Sequence, residues 1–282
     1  VNEVGRPYTF VDRLVPPWRG SMVAAVNARF RARETERSGP RVLEDPYALA
    51  LAGSHPALTL LALAERVFPA IRRMGEAQIA AHCVRHAAID ALVRAAVADG
   101  FVQFVIIGAG YDMRSARIGG ARWFEVDRPA MVRAKQRALA VPDEVVRVGV
   151  DVGTDDPFVH LVKAGLDPRL PTCVVLEGLI HYLDDTRARG LLGGLAAGER
   201  RRVILSWIEP AMSRRVTSTF RELVRLLGEV PRTFYTTAQL AELFGACSLP
   251  FSAWSYAEQV ERFAPAAHGR PVGLTQEVGV AG

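Results

Sequence analysis

From about residue 100 the chain alternates between short runs dense in branched apolar residues and longer stretches with helical spacing. The runs are Phe101–Ile107, Ala121–Val126, Val145–Val150, Thr172–Leu176 and Arg202–Trp207. Near-continuous apolarity over so few residues predicts strands buried on both faces. Helical stretches at Pro129–Ala140 and Asp185–Ala197 separate several of them. This alternation predicts an α/β fold, a doubly wound, mostly parallel sheet with helices on both faces. After Pro210, Val216, Phe220, Leu223, Val224 and Leu227 recur on one helical side, and a further helix is expected at Thr237–Phe244. Strands near Leu249–Tyr256 and Val272–Val280 would bring the sheet to seven.

The first hundred residues carry the helical period. Met22, Val23, Val26 and Phe30 fall at helical spacing behind Ser21, a capping residue. Asp45-Pro46-Tyr47 opens a short helix, with proline at an allowed early position. A longer helix is expected over Gly75–Asp99, with Ile89, Leu92, Val93, Ala96 and Val97 on one face and Gly100 as its stop. The organisation expected is a helical N-terminal cap over 1–99 that contributes to a ligand site. The α/β core would follow over 100–282, with a helical insertion at about 208–235.

Composition narrows the class. Of 282 residues, 50% are hydrophobic and 23% charged, enough to bury a large core. No apolar run reaches the ~20 residues of a membrane helix, and the opening VNEVGRPYTF has no signal-peptide pattern. Cys83, Cys173 and Cys247 are odd in number and widely spaced, which suggests a reducing cytoplasm rather than a disulfide framework. The net charge of +5 is scattered, and the one tight cluster, Arg200–Arg202, lacks the aromatic ladder of a nucleic-acid surface. Neither nucleic acid nor a membrane is expected as partner.

Candidate chemistry gathers at the ends of the expected strands, where doubly wound sheets bind ligands. The first strand ends in Gly108-Ala109-Gly110-Tyr111-Asp112-Met113, a glycine turn without the third glycine of a dinucleotide fingerprint. Asp112 would repel a pyrophosphate there. A nucleoside ligand without phosphates suits the loop better, and S-adenosylmethionine is one. Asp127 ends the second strand 19 residues after Gly108, near the ~20-residue spacing of a ribose-holding acid. It could equally cap the helix at Pro129. Glu125 shares its face but lies farther from the tip. Asp151 and Val152 end the third strand, where an acid could accept the adenine amino proton, or simply serve a turn. Glu177 ends the fourth, where a carboxylate would favour a cationic cofactor, or cap a turn.

Other chemistries find little support. HExxH, GxSxG and GxxxxGK[ST] are absent. His82 and His86 have the i, i+4 spacing of a metal pair, but no third ligand is evident, so they read as structural and no metal is expected.

The series GAGYDMR, FEVDRPAMVRAK, VDV and LEGLIHYL, with RARET, EDPYA and VRHAAID upstream, resembles the leucine carboxyl methyltransferase family over residues ~21–185. The resemblance implies a class I, Rossmann-like S-adenosylmethionine-dependent methyltransferase of the bacterial natural-product branch. It implies that Arg85 binds the cofactor carboxylate and that Gly108 and Gly110 form the loop. Asp127 would hold the ribose, Asp151 and Val152 the adenine, and Glu177 the methionine side. A basic residue of the N-terminal helix would join them, Arg31 with Arg29 as the alternative. Met113 replaces the threonine usual after GxGxD.

The expected activity is O-methylation of a carboxylate on a small molecule such as a polyketide-type product. A phenol or alcohol acceptor and a non-catalytic cofactor-binding protein are the alternatives. His181, after the fourth strand, is the candidate catalytic histidine. The residues do not indicate an oligomeric state.

Overall fold

In the computed structural model, residues 21–52, 64, 67–138, 145–196, 200–215 and 231–282 are described. The strands are β1 (Gln103–Ile107), β2 (Arg122–Asp127), β3 (Val145–Gly149), β4 (Thr172–Leu176), β5 (Arg201–Trp207), β6 (Phe251–Trp254) and β7 (Glu277–Ala281). They form one sheet in the order β3-β2-β1-β4-β5-β7-β6. The first five are parallel, and β7 runs antiparallel to both β5 and β6. From β1 the chain moves to β2 on one side, while β4 lies on the other. The carboxyl ends of β1 and β4 therefore flank the switch point at which such sheets open a crevice.

Among the described residues there are ten α-helices, in chain order α1 (Met22–Thr35), α2 (Ala48–Ala52), α3 (Pro69–Ala98), α4 (Arg114–Ile118) and α5 (Pro129–Ala138). Then come α6 (Pro157–Lys163), α7 (Asp185–Ala196), α8 (Pro210–Arg215), α9 (Thr237–Ala246) and α10 (Tyr256–Phe263). On one face of the sheet Val105, Val174, Leu205 and Trp207 pack with Leu192 and Leu195 of α7 and Leu240 and Phe244 of α9. On the other, Phe104, Ile106, Val175 and Ile204 pack with Ile89, Val93 and Ala96 of α3. The helix expected in the cap thus supplies a layer of the core, and residue 100 divides the sequence without dividing the packing.

The stop of α3 is a glycine cap. Gly100 has φ 82°, and the amides of Gly100 and Phe101 return to Val97 (3.1 Å) and Ala96 (3.0 Å). In α1 the cap is as expected, with Ser21 Oγ accepting from the Ala24 amide. Its buried side is not. Ala25, Ala28 and Ala32 face inward with Arg31 and Glu34, while Met22, Val23, Val26 and Phe30 are half-buried. The alanines let α1 approach α2 and α3 closely, and the polar pair enters because each finds an ionic partner. Burial would raise the Glu34 carboxyl, but hydrogen bonds from Arg270 (2.8 and 2.7 Å), the Val42 amide and Arg37 hold it low. That contact ties the N-terminal helix to the segment before β7.

The Arg200–Arg202 cluster is committed internally. Arg200 and Arg202 lie over the Phe101 ring, and Arg202 pairs with Asp99 at 2.6 Å. Arg201 donates to the Leu170 and Pro168 carbonyls at 2.9 and 2.5 Å. Of the expected insertion, α8 and residues 231–235 are described. The apolar series Val216–Leu227 lies outside the described residues. Among the described residues no helix is long and apolar enough to cross a membrane.

Candidate active site

The loop after β1 needs glycine for its backbone. Gly108 and Gly110 have φ of 71° and 47°, the left-handed region that side chains disfavour. A Cβ on Gly108 would also meet the Leu179 side chain at 3.0 Å. Val126 O anchors the loop by accepting from the Gly108 and Ala109 amides at 2.8 and 3.1 Å. One residue on, Asp127 Oδ2 accepts from the Gly110 amide at 2.6 Å and Oδ1 from the Arg128 amide at 2.7 Å. Neither bond goes to the first turn of α5, so the capping role is not the one adopted. Burial pushes the Asp127 carboxyl up, and Arg128 and the two amides offset this only in part. Each carboxylate oxygen keeps a lone pair for a further donor.

Met113 is buried where a third glycine would stand and packs with Ala25, Leu51 and Met131. The repulsion expected from Asp112 is softened. Its carboxylate accepts from the Arg114 amide (2.8 Å) and from the Arg114 guanidinium. Glu125, the weaker ribose candidate, is engaged elsewhere by Lys135 (2.8 Å), Arg147 (3.3 Å) and Ser115 Oγ (2.7 Å).

At the next strand end, the Val150 amide donates to Asp127 O at 2.8 Å, holding the Asp151 turn beside Asp127. Asp151 Oδ1 accepts from the Gly153 amide at 2.8 Å, and Val152 is buried in the core. Arg187 of α7 donates to Val152 O at 2.6 Å and to Asp155 O. Nothing in the local pattern had marked Arg187.

Between α3, α4 and β4 lies a buried ionic cluster. Glu177 Oε1 accepts from Arg85 Nε at 3.0 Å, and Oε2 takes Arg114 Nη2 and His86 Nδ1, both at 2.9 Å. Arg114, fully buried, also bonds Asp90 at 2.6 Å. Arg117 reaches Asp90 at 2.5 Å and His86 Nε2 at 2.7 Å. Burial would raise the Glu177 and Asp90 carboxyls, but the surrounding cations hold both well below the usual range. Arg31 bonds Asp45 at 2.8 Å and the Tyr111 carbonyl at 2.6 Å. Four arginines (31, 85, 114, 117) thus stand against four carboxylates (45, 90, 112, 177).

His82 sits between two of these arginines. Its Nδ1 is 2.8 Å from Arg85 Nη2 and its Nε2 is 3.5 Å from Arg31 Nη1. Burial and the charge of Arg85 push its pKa far down, so the ring is neutral and has one acceptor nitrogen. The short bond makes Nδ1 the acceptor and places the proton on Nε2. The Nε2–H and the Arg31 N–H then face each other as two donors.

The structure also supplies the third member missing from the histidine pair. Ligand atoms of His82, His86 and Glu177 lie within 4.8 Å of one another. The same atoms accept from the guanidinium groups of Arg85, Arg114 and Arg117, which leaves few of their lone pairs for a metal ion. His181 is 2% exposed in the 3₁₀ turn Ile180–Tyr182 after β4. Burial and then Arg85 push its pKa down to about 3. Arg31, Arg85 and Glu177 therefore come together around His82. Gly108, Gly110, Asp127, Asp151 and Val152 line the adjoining strand ends. Sequence reasoning missed Asp90, Arg114 and Arg117. A visible signal was the polar stripe His82, Arg85, His86 and Asp90 on one face of the otherwise apolar stretch Ile79–Val93 of α3.

A sequence profile of the family described as leucine carboxyl methyltransferase matches residues 24–196. A Frankia alni protein, provisionally named an S-adenosyl-L-methionine-dependent methyltransferase, is 38% identical over 188 residues, 61% of this chain and 64% of its own length. A similarly named Streptomyces coelicolor protein is 36% identical over 189 residues, with the same coverages of 61% and 64%. The chain thus matches just under two thirds of these relatives. A crystal structure of a DUF574 family protein from Streptomyces avermitilis superposes with a TM-score of 0.61 at 16% identity, over 93% of this chain and 97% of that one. That last likeness is one of fold, a Rossmann-like sheet.

Proposed function

Because the chain belongs to the leucine carboxyl methyltransferase family, we propose that it is an S-adenosylmethionine-dependent O-methyltransferase acting on a carboxylate of a small molecule, such as a polyketide-type product. The observation that carries the reading is the pairing of unlike groups beside the glycine loop. Arg31, Arg85 and the His82 Nε2–H offer donors to an anion, and Glu177 offers a carboxylate to a cation. An amino-acid end bearing both charges matches that pairing. Asp127, one strand over, suits a ribose diol, and Asp151 with Val152 suits an adenine. The names of the relatives support the cofactor.

When bound, the cofactor supplies a methyl group activated by a sulfonium. The chain's part is to bind, orient and exclude water, so that the acceptor oxygen is held in line with the methyl group. A carboxylate acceptor is ionised at neutral pH and needs no base. His181 is neutral there and, with a pKa of about 3, is too weak a base to ionise a phenol or alcohol. That favours the carboxylate over a hydroxyl acceptor. The free, buried thiols Cys83 and Cys173 accord with a reducing cytoplasm.

Titration calorimetry with S-adenosylhomocysteine, followed by transfer of labelled methyl to a panel of carboxylic acids and phenols, tests the reading. Binding plus labelled, base-labile esters is the expected result. Failure to bind S-adenosylhomocysteine would remove the methyltransferase assignment, and labelled phenol ethers would move it to the hydroxyl class.

A further inference from the structure

We infer that His181 is the residue that positions the methyl acceptor, donating its Nδ1–H to a carboxylate oxygen. The inference rests on the methyltransferase reading and deepens it, by giving the acceptor a contact on this chain. Its first support is an unmet hydrogen bond. His181 is 2% exposed, yet its Nδ1 has no partner. A buried polar nitrogen left bare is costly, and one that persists in a fold calls for a partner from outside the chain, such as a ligand atom.

Its second support is placement. The turn Ile180–Tyr182 begins two residues after Gly178 and packs against β5, so it stands just past the carboxyl end of β4, next to β5. The turn is held in place by residues 232 and 233. His181 O accepts from the Arg232 and Thr233 amides at 2.6 and 3.3 Å, and Thr233 Oγ1 donates to Leu183 O at 2.6 Å. The Tyr182 ring lies 4.3 Å from the imidazole, centre to centre. A ring carried on a backbone turn fixed in this way suits positioning.

Its third support is charge. Arg85 is near enough for its field to disfavour the imidazolium. The same field favours an anionic oxygen. A neutral ring beside a positive group has one useful thing to offer a carboxylate, an N–H, and the carboxylate would select the Nδ1–H tautomer. His181 then recognises one acceptor oxygen while the other is free to be methylated.

The test needs no knowledge of the natural acceptor. In protein labelled with ¹⁵N at histidine and saturated with S-adenosylhomocysteine, sodium benzoate and its neutral isostere benzamide are titrated in turn, and the His181 ring nitrogens are followed by long-range ¹H–¹⁵N spectra. Benzoate is expected to move Nδ1 saturably toward the protonated-nitrogen range at pH 7.5, and benzamide to leave it unmoved. His181→Phe should weaken benzoate about tenfold, the value of one hydrogen bond. His181→Asn, which keeps a donor near Nδ1, should restore most of it, and neither should change S-adenosylhomocysteine affinity. An unmoved Nδ1, through absent binding or binding elsewhere, overturns the inference, and so does an equal response to benzamide. The wild-type titration decides even where a variant fails to fold. Should S-adenosylhomocysteine itself not bind, the methyltransferase reading fails separately, and the same titration on unliganded protein still reads His181.

Discussion

Asp127 accepts the Gly110 amide at 2.6 Å, so the acid at the tip of β2 fixes the glycine loop at the tip of β1. One residue thus has two duties, shaping the loop and offering its remaining lone pairs to a diol. Asp127→Asn keeps the size of the side chain but lacks the charge. It should weaken S-adenosylhomocysteine by ~1.5–3 kcal/mol, the range for hydrogen bonds to charged groups. Calorimetry on folded protein measures this, and an unchanged affinity would take Asp127 out of the site.

Arg85 and Arg187 should separate by ligand. Arg85 stands among the anion-facing donors, whereas Arg187 holds the Val152 turn. Arg85→Ala should weaken S-adenosylhomocysteine by about tenfold or more yet spare 5′-methylthioadenosine, which has no carboxylate. Arg187→Ala should weaken both ligands alike, because both carry adenine. If Arg85→Ala weakened the two equally, its role would be support of the fold.

Arg114 is the keystone of the ionic cluster. It is fully buried and faces Asp90, Asp112 and Glu177. Removing it leaves Asp112 without a cationic partner and weakens the hold on Asp90 and Glu177, which keep Arg117 and Arg85, so Arg114→Ala should destabilise by about 3–5 kcal/mol, as for other broken buried pairs. Arg114→Lys should recover little, since an ammonium cannot span three partners as a guanidinium does. Urea unfolding measures both variants, and a loss under about 1 kcal/mol for Arg114→Ala would contradict the account.

Glu277 gives a pH dependence of opposite sign to the usual carboxylate. Burial, then Glu209 and Glu258, push its carboxyl up to about 7. Between the ordinary range near ~4.3 and about 7, the folded state binds a proton that the unfolded state does not. This group therefore favours folding most at low pH, and stability falls as pH rises through that window. Glu277→Gln should stabilise at pH 8.5 by something of order 1 kcal/mol, reduced from the full shift because the side chain is partly exposed. It should change little at pH 4. Urea midpoints at the two values check the sign, and a larger gain at the acidic one would refute it.

Much of this was readable along the chain, and the reasons differ by element. β1 and β4 are buried at every position, so their apolar runs declare them. α10 was not expected, since the strand expected near Leu249–Tyr256 ends at its first residue and nothing was assigned beyond it, although Ser255 and Glu258 form the reciprocal cap that opens it. A short helix carries little periodicity, and the cap was its only clear mark. The glycine loop and Asp127 were legible because their contact follows from adjacent strand ends. The Asp90–Arg114–Glu177 contacts were not, because α3, α4 and β4 meet only in the folded molecule. The buried side of α1 misled for a related reason. Arg31 and Glu34 look like surface residues until Asp45 and Arg270 arrive.

The place of β7 bears on how the chain is made. β6 joins the sheet only through β7, and β7 lies later in the sequence than either of its neighbours. As the polypeptide leaves the ribosome, the outer edge of β5 stays open and β6 has no partner until Glu277–Ala281 has emerged. Open strand edges are templates for pairing with other chains. The stretch of synthesis between Trp254 and Ala281 is therefore the interval of greatest exposure to aggregation, and it closes when a single late strand slots between two that have been waiting for it.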